Sequence, residues 1–305
     1  MSESVLVIGA SSFTGKHFCA YAKERGATVI EASLRDSSAL LEHLRNHPDY
    51  VVNFAALNVV APSWEYPEDY IHVNVELQLP IWDSICHRPP KKYVHISTPE
   101  VYGSTRGSVE ESAPYNPSTP YAASRTAAEL MLKCYHKERG APVVFTRACN
   151  VYGPGQQLYR LIPKVIASIK KEIRFPLEGG GKSRRAFCHV YDVCDATWRV
   201  MKYAPAGSAW HIAPIGKQKR ICDIVYMICR EMGSAFDDVV TMMPERPGKD
   251  FVYQLRSGPL RHLEGEADYW TDTINLKRGI AQVIAWINRD WKTLKNEPLD
   301  YEFKS

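Results

Sequence analysis

The sequence predicts an α/β protein in which a doubly wound parallel sheet is followed by a smaller lobe, and three observations predict it. Short apolar runs alternate with helical patterns through the first half of the 305 residues, the order that parallel strands and their covering helices require. Those runs mix β-branched and aromatic residues without clean alternation, as strands covered on both faces do. Beyond about Gly153 the pattern breaks into shorter elements punctuated by Gly153-Pro154-Gly155, Gly179-Gly180-Gly181 and Pro244–Gly248. The expected division is 1–155 for the doubly wound domain and 156–305 for the lobe, with segments of the second part returning to the first.

Each element follows from its pattern. Ser4–Gly9 reads as a strand and Gly15–Arg25 as a helix; Ala27–Ala32 is the second strand. Ser38–Asn46 is a helix with Leu40, Leu41 and Leu44 on one side. Tyr50–Ala55 is a third apolar run. A helix is expected around Asp69–Cys86, then a strand Tyr93–Ser97, a long helix Tyr121–Arg139 and a strand Val143–Arg147.

Composition excludes several classes. Hydrophobic residues make up 45% and charged residues 24%, so neither disorder nor low complexity is expected. The net charge of +4 comes from 38 basic and 34 acidic residues, too balanced a field to imply nucleic-acid binding. No run approaches the roughly 20 apolar residues of a spanning helix, and the chain opens directly on an apolar strand. A cytoplasmic protein with no membrane partner is the expectation. Eight cysteines are scattered without metal spacing, so buried free thiols are expected. His95, His189 and His211 sit among apolar residues and read as satisfied structural histidines, with no metal required.

Val5-Leu6-Val7-Ile8-Gly9-Ala10-Ser11-Ser12-Phe13-Thr14-Gly15 is a strand, a small-residue turn and a helix start. It is the Rossmann arrangement that sets backbone N–H groups and a helix N-terminus against a pyrophosphate, with Gly9 and Gly15 permitting close approach. Ser12 occupies the place of the middle glycine. At the end of the second strand an acid would favour NAD, whereas Ser33 with Arg35 nearby leaves room for a 2′-phosphate. NADP is therefore slightly preferred over NAD, with Glu31 the competing acid if the register shifts by two.

Ser97-Thr98-Pro99-Glu100-Val101-Tyr102-Gly103 follows a strand, and Tyr121-Ala122-Ala123-Ser124-Arg125 opens a helix. Tyr121 and Arg125, four apart, share a helical face. The cation predicts a lowered tyrosine pKa and a phenol usable as acid and base, with the Thr98 hydroxyl on the same substrate oxygen.

On these residues, together with Asn53-Phe54-Ala55-Ala56, Arg147–Gly155, Leu161-Ile162-Pro163, Arg185–Asp192 and Arg246–Asp250, the chain resembles the extended short-chain dehydrogenase/reductases. Within them it is most similar to the nucleotide-sugar 4,6-dehydratases. The resemblance implies that Tyr121 takes the sugar 4-OH proton as hydride leaves C4, that Thr98 holds that oxygen, and that Glu100 removes the C5 proton before water leaves C6. It also places Ala55 and Ala56 at the cofactor, and Asn150, Arg185 and Arg246 at the substrate diphosphate and sugar, where paired guanidinium donors suit phosphate. Tyr152 and Phe187 are candidates to stack near a base or sugar. A homodimer through the Asp69–Cys86 and Tyr121–Arg139 helices is implied by resemblance only.

Two departures stand out. Pro99 replaces the aspartate that acts as acid toward the leaving hydroxyl in deoxythymidine-diphosphate-glucose enzymes, and Arg125 replaces the family lysine with a bulkier, forked, permanently charged group. Two further readings remain open at this level. One is an epimerase or 4-keto reductase, the latter suggested by the short span between Gly15 and Tyr50. The other is a catalytically weak nucleotide-sugar-binding protein.

Overall fold

The computed structural model describes residues 2–303 apart from 106, 215, 217, 246–250 and 264–268. Its first half runs β1 (Ser4–Ile8), α1 (Phe13–Glu24), β2 (Thr28–Ala32), α2 (Ser37–Arg45), β3 (Tyr50–Asn53), α3 (Pro67–Asn74), α4 (Leu79–His87) and β4 (Lys92–Ser97). Then come β5 (Ser108–Val109), α5 (Pro120–Arg139), β6 (Val143–Ala148) and β7 (Asn150–Tyr152). The second half runs α6 (Leu161–Lys170), β8 (Phe175–Glu178), β9 (Arg184–Arg185), β10 (Phe187–His189), α7 (Val190–Tyr203) and β11 (Ala209–Ile212). It closes with β12 (Lys219–Arg220), α8 (Ile221–Glu231), α9 (Phe236–Val239), β13 (Val240–Met243), β14 (Gln254–Leu255), α10 (Gly258–Arg261) and α11 (Leu276–Leu294).

The main sheet has six parallel strands in the order β11-β6-β4-β3-β1-β2. Because successive side chains of a strand face opposite ways, Val5 and Val7 of β1 enter the core under α1 and α7, whereas Leu6 and Ile8 enter the core under α2, α4 and α5. Both faces are thus covered, which is why the strands carry no alternating pattern. The strand order turns back between β1 and β3, and ligands of such sheets bind at the carboxyl ends of the strands beside that reversal.

A second core gathers α6, α8 and α11 with the parallel pair β8 and β13. On α11 the fully buried positions are Gly279, Ile280, Val283 and Ile287, one stripe of a helix that is otherwise wet.

The single helix expected over 69–86 is two. α3 ends at Asn74 and α4 begins at Leu79 with Pro80 in its first turn. Proline lacks the N–H that an unbroken helix would need and disfavours helical backbone just before it. The thiols also depart from expectation in one case: five of the eight are buried, but Cys134 is exposed.

Candidate active site

A cleft of about 2100 Å³ runs from the ends of β1 and β2, past α5, to β8 and Arg185. Small-ligand pockets span roughly 300–1,000 Å³, so this one has room for two extended ligands side by side. No group of three or more metal-ligating side chains occurs among the described residues.

At one end, Gly9 (φ +77°) takes a conformation that side chains rarely adopt, and a Cβ there would lie 2.7 Å from the Ala55 backbone N. A Cβ on Gly15 would lie 2.3 Å from the Gly9 carbonyl oxygen. Both positions demand glycine, so strand, turn and helix approach one another closely. Ser12 does not: its φ of −67° is ordinary, and its hydroxyl caps α1 by accepting from Gly15 N–H at 3.1 Å. The missing middle glycine therefore costs the turn nothing. Ser11, Ser12, Phe13 and Thr14 border the cleft with Ala55 and Ala56, and the first-turn N–H groups suit a pyrophosphate.

Ser33 and Arg35 also line the cleft, and the Ser33 hydroxyl accepts from Arg35 N–H at 3.2 Å. Glu31, the competing acid, instead pairs with Lys23 at 2.8 Å on the surface.

The reactive end is built by two elements. Thr119 caps α5 by accepting from Ala122 N–H at 3.1 Å, and Pro120 fills the first turn, where its missing N–H costs nothing. That start sets Tyr121 opposite the end of β4. There Thr98 opens a short turn, Pro99–Tyr102, and accepts from Glu100 N–H at 3.2 Å. Pro99 is buried at the turn's first position, where an aspartate side chain would otherwise sit.

Tyr121 is 7% exposed. Burial raises its pKa; Arg125, a hydrogen bond from Thr98 and Arg160 pull it back down, while Glu100 adds to the rise. The net direction is upward, so the expected lowering is corrected: desolvation of the phenolate outweighs the nearby cations in the protein alone.

Arg125, 2% exposed, explains how the longer side chain fits. Its Nη2 donates to the Ile96 carbonyl and, at 3.2 Å, to His95 Nε2. One end of the guanidinium is thus docked on β4, and Nη1 is left buried without a partner at the cleft. Burial, then Arg125, pushes His95 down to about 3. The ring is neutral, with its proton on Nδ1, which also lacks a partner. His95 is therefore a prop beneath the site instead of a satisfied core histidine. His189 caps α7 but leaves Nε2 without a partner. Only His211 meets the expectation, bonding Tyr102 at 2.7 Å and the Arg256 carbonyl at 3.1 Å.

Glu100 is half-buried at the cleft and raises the pKa of both Tyr121 and Tyr253. Tyr253 is one residue that the sequence reading missed, three positions beyond the Arg246–Asp250 stretch. Its phenol donates to Asn150 Oδ1 at 2.7 Å, and the Arg185 guanidinium lies 4.5 Å over its ring. Asn150, Arg185 and Phe187 line the cleft as expected. Tyr152 does not; it is 1% exposed and packs edge-on to Phe187. Arg246 lies outside the described residues. Two buried hydroxyls without partners, Thr146 and Ser183, complete the hydrogen-bonding surface.

Beneath the site, Glu129 and Arg147 form a fully buried pair, with Arg147 Nε to Glu129 Oε1 at 3.0 Å. Burial opposes the Glu129 carboxylate, yet bonds from Arg147, Ser97 and Tyr115 hold it down at about 2. This pair ties α5 to β6 and keeps Tyr121 in register.

The NAD dependent epimerase/dehydratase family model matches residues 5–213. A dTDP-glucose 4,6-dehydratase of Xanthomonas campestris pv. campestris is 29% identical over 94% of this chain and 94% of its own. One from Streptomyces niveus is 30% identical over 88% of this chain and 78% of its own. The structure of DesIV, a dTDP-glucose 4,6-dehydratase from Streptomyces venezuelae with NAD bound, superposes with a TM-score of 0.87 at 26% identity, covering 95% of this chain and 98% of that one.

Proposed function

The chain belongs to the NAD-dependent epimerase/dehydratase family, and from that membership we propose a nucleotide-sugar 4,6-dehydratase whose chemistry is carried by Thr98, Glu100 and Tyr121. The observation that carries the proposal is the meeting of these three groups in one cleft, with Thr98 bonded to Tyr121 and Glu100 acting electrostatically on the same phenol.

The substrate is a nucleoside diphosphate hexose. Arg185 and Asn150 hold its diphosphate and sugar, and Tyr121 faces the 4-OH. The cradle left by Gly9 and Gly15 and the spare Nη1 of Arg125 fit a nicotinamide dinucleotide, its pyrophosphate at α1 and its ribose at Arg125. When bound, that group supplies the hydride acceptor for C4 and the hydride donor for C6, and its cationic ring adds to Arg125 in stabilising phenolate. Tyr121 takes the O4 proton while Thr98 donates to that oxygen. With C4 a ketone, the C5 proton is acidic, and Glu100 removes it. Glu100 hands the C5 proton to the departing C6 hydroxyl, so water leaves although Pro99 has no proton to give. The O4 proton taken by Tyr121 replaces it at C5 as C6 is reduced, so both side chains end as they began and the net change is loss of one water.

Two finer points belong to the same proposal. With Glu31 paired at the surface and Arg35 beside Ser33 at the cleft, the 2′ position meets a base and no acid, which favours NADP. A homodimer is supported by the exposed Ile71 of α3 and the exposed Leu130 and Met131 of α5.

The test is incubation of the purified protein, with NAD or NADP, against a panel of nucleoside diphosphate hexoses that includes dTDP-glucose. A product lighter by one water, with cofactor unconsumed, is expected. Mass-neutral conversion, or stoichiometric cofactor consumption, would overturn it in favour of an epimerase or a reductase.

A further inference from the structure

The segment after α11 leaves the second core and reaches the sheet half of the molecule. It runs back along α6, where Lys171 donates to the Glu297 carbonyl at 3.3 Å and Lys164 pairs with Asp300 at 2.7 Å. Tyr301 then sets its ring edge against Tyr159, 5.1 Å between centroids. Phe303 crosses to the far side of the cleft and lies flat on Tyr66, at 4.3 Å and 3°. It also faces Tyr70 at 6.5 Å and 20°. Tyr70 is in turn edge-on to Tyr121 at 6.2 Å. Asp300, Tyr301 and Phe303 all line the cleft.

A packing role alone accounts poorly for this course. Asp300 keeps 90% of its side chain exposed and Tyr66 remains 41% exposed, so the crossing buries little surface. Leu299 is the last residue of the segment packed against the second core. Beyond it, contact with the sheet half is made by rings, which can part and rejoin without breaking a backbone ladder. Nearby, Arg160 reaches Asn58 at 2.7 Å, a second side-chain link across the same cleft.

We propose that residues 300–303 are a strap over the sugar site, and that Tyr301 and Phe303 are substrate-site residues retaining the 4-keto nucleotide sugar between oxidation at C4 and reduction at C6. The proposal rests on the dehydratase reading for its chemistry. Such a reaction has a particular need for closure, because a keto sugar lost midway strands the enzyme with reduced cofactor. A closed site also excludes water from the keto intermediate. Phe303 and Tyr66 form one wall of the cleft, and Tyr70, buried behind them, joins that wall to Tyr121.

The experiment compares wild type with Phe303→Ala, Phe303→Trp, Tyr66→Ala, the double variant, and a chain ending at Leu299. The nucleotide sugar turned over best is used, and released keto sugar and unrecovered reduced nicotinamide are measured per product formed. An aromatic stacking pair predicts a roughly two- to tenfold rise in KM for Phe303→Ala. Abortive release should appear in that variant and in the shortened chain, with rescue by Phe303→Trp and no additivity between Phe303→Ala and Tyr66→Ala. A merely structural role would lower active enzyme but leave the ratio of abortive release to product unchanged, and that result overturns the proposal. If no sugar is turned over, the dehydratase reading fails by itself, and hydrogen exchange then decides the strap. Protection of the 295–303 peptide that Tyr66→Ala removes is expected. Exchange at the rate of an unfolded peptide in wild type overturns it.

Discussion

Replacing Arg125 by methionine tests the central electrostatic claim, that the site needs a cation beside Tyr121 and that arginine supplies it. Residues four apart on a helix bring their side chains within about 6 Å. At an effective dielectric of about 20, a unit charge at that range contributes about 3 kcal/mol to the phenolate. Its loss leaves on the order of a hundredfold less phenolate near neutral pH. The sign is fixed by the roles: the active form is the phenolate, burial already raises its pKa, and removing a cation raises it further. The rising limb of the pH profile therefore moves to higher pH, and neutral activity falls. Arg125→Lys keeps the charge, so its limb should stay near that of wild type. Methionine also leaves the Ile96 carbonyl and His95 Nε2 without a donor, which destabilises the fold by about 1–3 kcal/mol per buried group. Loss of folded protein changes amplitude only, so the pH midpoint remains readable. The assay is single-turnover cofactor reduction, which isolates the C4 step. An Arg125→Met limb coincident with wild type would refute the argument, as the cation would then act on nothing that titrates.

The other predictions probe separate links. Glu100→Gln should still reduce cofactor on mixing with substrate but stop there, so reduced nicotinamide accumulates with no dehydrated product by mass spectrometry. If Ser33 faces the ribose as proposed, Ser33→Asp should raise the ratio of NAD to NADP affinity by about tenfold or more, since a charge-assisted bond is worth about 1.5–3 kcal/mol; an unchanged ratio by calorimetry would remove Ser33 from the cofactor site. The Glu129 carboxylate is held at about 2 in the fold, so its stabilisation is complete above the ordinary glutamate range and lost as pH falls toward that value. Acid titration should show this, and Arg147→Met, which strands the buried carboxylate, should cost about 3–5 kcal/mol by urea unfolding.

Much of the fold could be read because it is local. The strands and helices from Ser4 to Arg147 fall within a few residues of their expected limits, since each is bounded by its own glycine, proline or cap. The long helix through Pro80 failed because the apolar pattern continued across the break that the proline made. That Thr98, Glu100 and Tyr121 would meet at one cleft was legible because their motifs lie within a turn or two of one strand end and one helix start. The burial that raises Tyr121 was not, because the four-residue spacing shows the cation and conceals the walls. Tyr253, Tyr66 and Phe303 carried no signal either. An aromatic at the cleft and an aromatic in the core look alike in sequence, and only the return of distant segments brings these three to the cleft.

The two departures from the family pattern look like decay when read singly, yet the structure places an answer beside each. Arginine is longer than lysine, and the excess is taken up by docking Nη2 on Ile96 and His95. Proline removes a carboxylic acid, and Glu100, half-buried at the cleft one residue further on, is placed to carry the C5 proton to the departing hydroxyl in the proposed reaction. Arg125 Nη1, His95 Nδ1, Thr146 Oγ1 and Ser183 Oγ lack partners while buried, and a buried polar group without a partner costs about 1–3 kcal/mol. Of the nine such atoms among the described residues, those of Arg125, Thr146 and Ser183 belong to residues that line the cleft. Such costs persist where a ligand repays them. A site that had lost its ligands would gain stability from any apolar substitution at these positions. Arg125, Thr146 and Ser183 instead keep their unpaired polar groups at the cleft, where the proposed cofactor and substrate would repay the cost.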